Sequence, residues 1–419
     1  MKVPFKRGNI LLPKNADMTK WSVIACDQYT SEPDYWKDVE NIVGESPSTL
    51  NLTLPEIYLE ESDVEDRIKK INSNMEKLIN EDFFKEYKDS MIYLERTQAD
   101  GKVREGLMGI VDLEDYSYEK GSQTLIRATE KTVIERIPPR VKVRENALLE
   151  LPHIMILIDD EKKTIIESLK NKVSDNDKVY DFDLMKNGGH IKGYLLNEEA
   201  MDGVDEGLLN LMDKDYFETK YNVKDKGILL FAMGDGNHSL ATAKACYENL
   251  KKEIGEDALN SKARYALVEL VNLHSSALEF EAINRVIFNT NSDKLLNTLK
   301  EYYTINKEGN GQRVRVITEN IDEDWFIENP KSNIAVGSIQ MFLDEYLKEN
   351  EGKIDYIHGE DVTKELGSKT GNVGFIFDAM EKGDLFKTVI LDGALPRKTF
   401  SMGHANDKRY YLEARKIKN

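Results

Sequence analysis

Apolar and polar positions alternate along this chain with two different periods. Between Glu60 and Tyr87, Val64, Ile68, Ile71, Met75, Leu78 and Ile79 recur at three- and four-residue spacings, which predicts a long helix with one buried face, set against a sheet. Two β-rich runs then flank Gln98-Ala99-Asp100-Gly101, and an Asp-Gly pair between such runs predicts a hairpin. The apolar run HIMILIDD predicts a further strand, residues 163–172 a helix, residues 179–196 strands around Asn187-Gly188-Gly189, and residues 198–213 a helix.

The clearest pattern is GILLFAMGDGNHSLATAKACYENL, from Gly227 to Leu250: a continuous apolar strand, a glycine turn and an amphipathic helix. Residues 262–288 predict strand, break and strand. Beyond Asn291, helices are expected near 293–302, 338–349, 362–367 and 378–383, with strands near 313–318, 354–357, 373–377 and 387–391. This order of elements predicts an α+β fold, a mixed sheet with flanking helices. The expected division is a main domain over 1–290 and a C-terminal region over 291–419 packed on it; no Pro-, Gly- or Ser-rich linker marks the boundary and no internal repeat is present.

Charge narrows the partners. Lys and Arg number 58 against 76 Asp and Glu, a net charge of −18, which argues against broad attraction to nucleic acid or an anionic membrane. Any anion must therefore meet a local basic site. Cys26 and Cys246 form no CxxC pair, so neither a disulfide framework nor a cysteine zinc site is indicated. The N-terminal MKVPFKRGNILLPKN lacks the apolar stretch of a signal peptide, and no window approaches the ~18 apolar residues of a membrane span. The expected compartment is the cytoplasm and the expected partner a small molecule.

Met233-Gly234-Asp235-Gly236-Asn237-His238-Ser239 follows a buried strand and opens a helix, where backbone N–H groups and the helix dipole favour an anion. The glycines allow close backbone approach. Asp235 could hold Mg²⁺ or a ligand hydroxyl, and His238 could donate to a phosphate or move a proton near neutral pH. Equally, Asp235 or Asn237 could simply cap the helix. Neither GxGxxG nor GxxxxGK[ST] is present, and the zinc-protease and GxSxG patterns are absent. His153, His274 and His358 read as structural, with no partner for His274 at metal or nucleophile spacing.

FAMGDGNHSLATAK resembles the hallmark segment of a prokaryotic family of unknown function, number 1015, in which a strand leads into Asp-Gly-His-His-Arg and a helix. The resemblance extends to Pro4-Phe5-Lys6, to Asp27–Tyr29 with Glu45-Ser46-Pro47-Ser48, and to Tyr93-Leu94-Glu95-Arg96 with Gly106 to Val111. It also covers Ile126 to Thr132 and Leu395-Pro396-Arg397-Lys398-Thr399-Phe400-Ser401. The turn is similar to that of the ParB/sulfiredoxin-like superfamily, which implies nucleotide phosphates bound at the helix N-terminus and includes kinases of free serine. Asp235, Gly236 and His238 match; Asn237 stands where the family has its first His and Ser239 where it has Arg.

A serine hydroxyl cannot reproduce a guanidinium's bidentate grip on phosphate, so another cation is expected: Arg127, Arg140, Arg144, Arg397 or Lys398. Pro138-Pro139 predicts that the basic stretch is a loop. The resemblance thus implies transfer of phosphate from a nucleoside di- or triphosphate with Mg²⁺ to a small hydroxylated metabolite, serine or a relative. Gly234, Gly236, Asn237 and Ser239 would hold phosphates, Asp235 the metal or acceptor, and Glu130 would accept the proton. The alternative is a sensor that binds a nucleotide or small anion without consuming it.

Overall fold

Phe231, Ala232 and Met233 are fully buried, and this apolar run forms the strand Phe231–Asp235 near one side of a large mixed sheet. A computed structural model describes residues 2–396 and 398–418. The chain divides into two units, the first made of Met1–Ala128, Thr132–Leu278 and His404–Asn419, the second of Thr129–Lys131 and Glu279–Gly403. The sequence pattern places a single division near residue 290.

In the first unit the strands lie in the order Lys178–Asp183, His190–Leu195, Ile92–Thr97, Val103–Asp112, Tyr265–Asn272, Met155–Ile158, Phe231–Asp235, Ile126–Arg127 and Tyr116–Ser117, with Phe5–Lys6 added against Val103–Asp112. The predicted hairpin is Ile92–Thr97 with Val103–Asp112. Phe231–Asp235 runs antiparallel to Met155–Ile158 and parallel to Ile126–Arg127, and the register slips between Met155 and Ile156, where Met155 faces Asp235. That irregularity lies at the strand end from which the turn departs.

Helix Val64–Asn80 buries Ile68, Ile71 and Met75 as the spacing predicts. It ends before the predicted limit, because Phe84–Ser90 is a strand paired with Gly8–Pro13. Residues 163–172 hold only the 3₁₀ turn Glu167–Asn171. The basic stretch is not wholly a loop: Ile137–Arg144 is helical, with its prolines in the first turn, where a missing N–H breaks no helical bond. It packs on helix Asn237–Ile254.

The second unit holds a seven-stranded sheet in the order Ile305–Asn306, Asp322–Ile327, Gln312–Ile317, Val373–Ile376, Phe280–Phe288 and Lys353–His358, with Phe400–Met402 added to Phe280–Phe288. Lys382–Asp392 is a helix that buries Leu385, Phe386, Val389 and Ile390. The strand expected at 387–391 is therefore helical, its apolar run serving a buried helix face. Among the described residues no helix is long and apolar enough to cross a membrane.

Candidate functional site

Gly236 makes the turn possible. Its φ of +77° lies in the left-handed region, and a Cβ there would stand 3.0 Å from the Ile154 backbone. The 18-residue helix Asn237–Ile254 starts immediately afterwards, and Leu240 donates its first hydrogen bond to the Gly236 carbonyl. The preceding turn thus carries the positive end of the helix. Gly234 approaches Leu157 and the Met155 carbonyl so closely that a Cβ would lie about 3.0 to 3.2 Å from both.

Asp235 caps the turn locally: Oδ1 accepts the Gly236 N–H at 2.9 Å. Among the described residues its other oxygen, Oδ2, is buried without a hydrogen-bond donor, and so is Asn237 Oδ1. The Nζ of Lys408 stands 3.5 Å from Asp235 Oδ2. His238 Nε2 accepts the Val133 N–H at 3.4 Å.

Ser239 reaches a second histidine. Its Oγ lies 3.2 Å from His153 Nε2, which also lies 3.6 Å from Asp27 Oδ2. The other ring nitrogen of His153 meets the Tyr411 hydroxyl at 2.8 Å, and that hydroxyl accepts the Cys26 N–H at 3.2 Å. Burial alone would lower the His153 pKa, but the charge and hydrogen bond of Asp27, with the charge of Asp235, outweigh it and raise it above the ordinary 6.5. For Asp27, burial acts upward. His153, Gln28 and Lys408 together outweigh that and hold the carboxyl below the usual carboxylate range. His153 and Lys408 therefore stand against the carboxylates of Asp27 and Asp235.

Lys408 is held in place from beneath. Arg96 donates to the carbonyls of Asn406, Asp407 and Lys408, and Arg104 donates to Asp407 O at 2.8 Å. Arg104 is in turn paired 3.1 Å from Glu269, which also holds Arg409. Arg96, Arg104, Glu269 and Arg409 are buried; Arg96 is satisfied by backbone carbonyls, and Arg104 and Arg409 are answered by Glu269 inside the first unit.

The expected cations are placed as follows. Arg127 is buried and donates to the carbonyls of Thr124, Gly227 and Ile228; burial pushes its pKa down to about 10. Its side chain supports the start of the strand region, away from the turn's own partners. Arg140 pairs with Glu56 and Arg144 with Glu150. Both line a cleft of about 150 Å³ that Ser239, Thr242, His153 and Tyr411 also line.

Glu130 and Lys398 belong to the second unit. Glu130 forms a parallel bridge with Leu395. The Lys398 carbonyl accepts from buried Arg285, and its Nζ lies 5.4 Å from the Tyr356 ring centroid. Arg397 lies outside the described residues.

Three residues at the turn escape the sequence pattern. Asp27 and His153 lie far upstream, and Lys408 sits in a C-terminal basic run with no periodic signal. His153, expected to be structural, joins Ser239 to Asp27. His274 also has partners: with Asp159 and Glu161 it places one ligand atom from each residue within 4.8 Å of the others. Asp159 is already engaged by Tyr221 at 2.6 Å, His274 at 2.7 Å and Lys220 at 2.9 Å.

A family model described as protein of unknown function (DUF1015) matches residues 4–416. Among solved structures the chain is similar to a free serine kinase mutant in complex with AMP, with 10% identity and a TM-score of 0.39 over 76% of this chain and 92% of that one. It is also similar to a C-terminally truncated SbnI from Staphylococcus aureus, with 8% identity and a TM-score of 0.36 over 71% and 82%. A conserved hypothetical protein from Pyrococcus furiosus is 14% identical, with a TM-score of 0.30 over 50% and 88%. No curated protein sequence matches.

Proposed function

The chain belongs to the DUF1015 family, and from that premise we propose that it binds a nucleoside di- or triphosphate at the Gly234–Ser239 turn and transfers phosphate to a small hydroxylated metabolite. The observation that carries this reading is Lys408 at 3.5 Å from Asp235. A cation at the positive end of an 18-residue helix stands in for the arginine that Ser239 replaces, and the two attract an anion together.

In this reading the backbone of Gly234, Gly236, Asn237 and Ser239 approaches the phosphates, Lys408 supplies charge, and His238 contacts a phosphate oxygen. The acceptor oxygen bonds to the terminal phosphorus, the bond to the bridging oxygen breaks, and the nucleotide leaves one phosphate shorter. The acceptor's proton goes to Asp27, which stays ionised beside His153. A low-pKa carboxylate suffices because a loose transition state asks little of its base. Glu130, the base that the resemblance implies, is the alternative carboxylate.

Among the described residues Asp235 Oδ2 and Asn237 Oδ1 are buried acceptors with no hydrogen bond, and hard oxygen donors of this kind fit Mg²⁺. When bound with the nucleotide, the ion would neutralise phosphate charge. Arg140 and Arg144, each paired with a glutamate, serve the adjoining cleft.

Calorimetric titration with ADP and ATP, with and without Mg²⁺, tests binding, and ³¹P NMR of nucleotide incubated with hydroxylated acceptors tests transfer. Saturable binding with acceptor-dependent loss of the terminal phosphate is expected. Binding without consumption would favour the sensor, and absence of binding at millimolar nucleotide would overturn both readings.

A further inference from the structure

The cleft beside Ser239 has two kinds of wall. Leu54, Leu59, Met75, Val143 and Leu151 form an apolar one. The other is charged: Arg140 pairs with Glu56, and Arg144 shares Glu150 with Arg415, which lies outside the lining. Arg144 is the more open of these two arginines, its side chain 18% exposed against 5% for Arg415.

Among the described residues Arg144 makes a single side-chain hydrogen bond, to Glu150, while Arg415 also donates to the carbonyls of Lys262 and Tyr265. The guanidinium of Arg144 therefore keeps donors for a ligand. The lining also includes Ser239 Oγ and the buried His153 ring, which can both engage a hydroxyl. The volume, about 150 Å³, is that of an apolar cavity able to take a benzene-sized body.

We propose that this cleft is the acceptor subsite and takes a small hydroxy carboxylate with an apolar body of about six carbons, its hydroxyl at Ser239 and His153 and its carboxylate on Arg144. The assignment as acceptor rests on the phosphoryl-transfer reading; the binding itself does not. It also disfavours a free α-amino acid. Its ammonium, one carbon from the carboxylate, would stand beside the Arg144 guanidinium while Glu56 and Glu150 are already paired, and an unanswered charge there is strongly unfavourable.

Calorimetry on the full chain without nucleotide, using 6-hydroxyhexanoate, 1-hexanol and L-serine, tests this. The hydroxy acid is expected to bind about tenfold or more tightly than either of the others. Arg144→Met should remove its advantage over 1-hexanol, and Glu150 keeps Arg415 in that variant, so no buried carboxylate is stranded. Ala147→Phe and Val143→Phe fill the cleft from two positions; whichever folds, judged by circular dichroism, should bind neither hydroxy acid nor alcohol while retaining its ADP affinity.

L-serine binding as tightly as the hydroxy acid, hydroxy-acid binding that survives a filled cleft, or none at 10 mM in the unmodified chain would overturn the proposal. Failure of nucleotide binding is a separate result. A chain that takes 6-hydroxyhexanoate but not ADP would retain the subsite and lose the transfer reaction.

Discussion

Lys408 places its Nζ 3.5 Å from Oδ2 of Asp235, bringing a cation from the C-terminal segment to the start of a helix that begins at Asn237. The contact is not incidental to the local chain. Arg96 and Arg104 grip the backbone carbonyls of residues 406–408, so the backbone from which the lysine projects is set by a buried network.

If Lys408 supplies the missing positive charge, Lys408→Met should weaken ADP binding about tenfold or more, the scale of one charge-assisted hydrogen bond. The Lys408 side chain is 15% exposed, so solvent screens it only in part. Lys408→Arg should recover most of the loss. Calorimetric titration reads both; an unchanged Kd in Lys408→Met would remove the residue from the site.

Gly236 is constrained twice, by its φ of +77° and by the Ile154 backbone 3.0 Å from where a Cβ would stand. Gly236→Ala should therefore lower unfolding free energy by roughly 1–3 kcal/mol and weaken ADP binding as the turn shifts. Urea denaturation and calorimetry together check this. Full stability in the alanine variant would mean that the turn relaxes without cost.

How much of this was readable in advance follows from how local each feature is. The hairpin around Asp100-Gly101 and the strand, turn and helix ending in Asn237–Ile254 are written in contiguous residues, and spacing alone places them. Pro138-Pro139 misleads because proline breaks a helix interior but suits a first turn. The apolar run at 387–391 misleads because a short buried helix face and a buried strand look alike over five residues. The cluster at the turn is different in kind. Asp27, His153, Ser239 and Tyr411 share no segment, and only the crossing of sheet strands and the return of the C-terminal chain bring them together.

Arg127 is a charged residue in a promising motif whose side chain grips the backbone. Arg127→Met would strip donors from the carbonyls of Thr124, Gly227 and Ile228. Stability should fall by roughly 2–4 kcal/mol, with ADP affinity held within about twofold. Denaturant midpoints and calorimetry separate the two effects; a large loss of affinity at unchanged stability would make Arg127 a ligand contact after all.

Two carboxylates compete for the role of base. Asp27→Asn should cut turnover by ~10²–10⁴ and leave ADP affinity within a few fold, since a base acts mainly in the transition state. Glu130→Gln should leave turnover nearly intact. Single-turnover kinetics with the true acceptor decides between them, and the reverse result would make Glu130 the base.

The pair of Asp27 and His153 also makes stability depend on pH in a definite direction. His153 has its pKa raised above 6.5 in the folded chain, burial notwithstanding, by Asp27 and Asp235. A raised histidine contributes stability that is fully present below the unfolded pKa and lost as pH rises through the folded one. Asp27, held below the ordinary 3.8, contributes stability above that value that is lost only as pH falls through its lowered pKa. The pair therefore stabilises the first unit most between about 4 and 6.5, and the histidine's share fades on the alkaline side. Asp27→Asn removes the larger source of the upward shift, so its stability should fall less between pH 6 and pH 9 than that of the unmodified chain. An NMR titration of the His153 ring should give a midpoint above 6.5 that drops in Asp27→Asn. A midpoint at or below 6.5 in the unmodified chain would mean that burial of the imidazole outweighs its carboxylate neighbours and that His153 is neutral at pH 7.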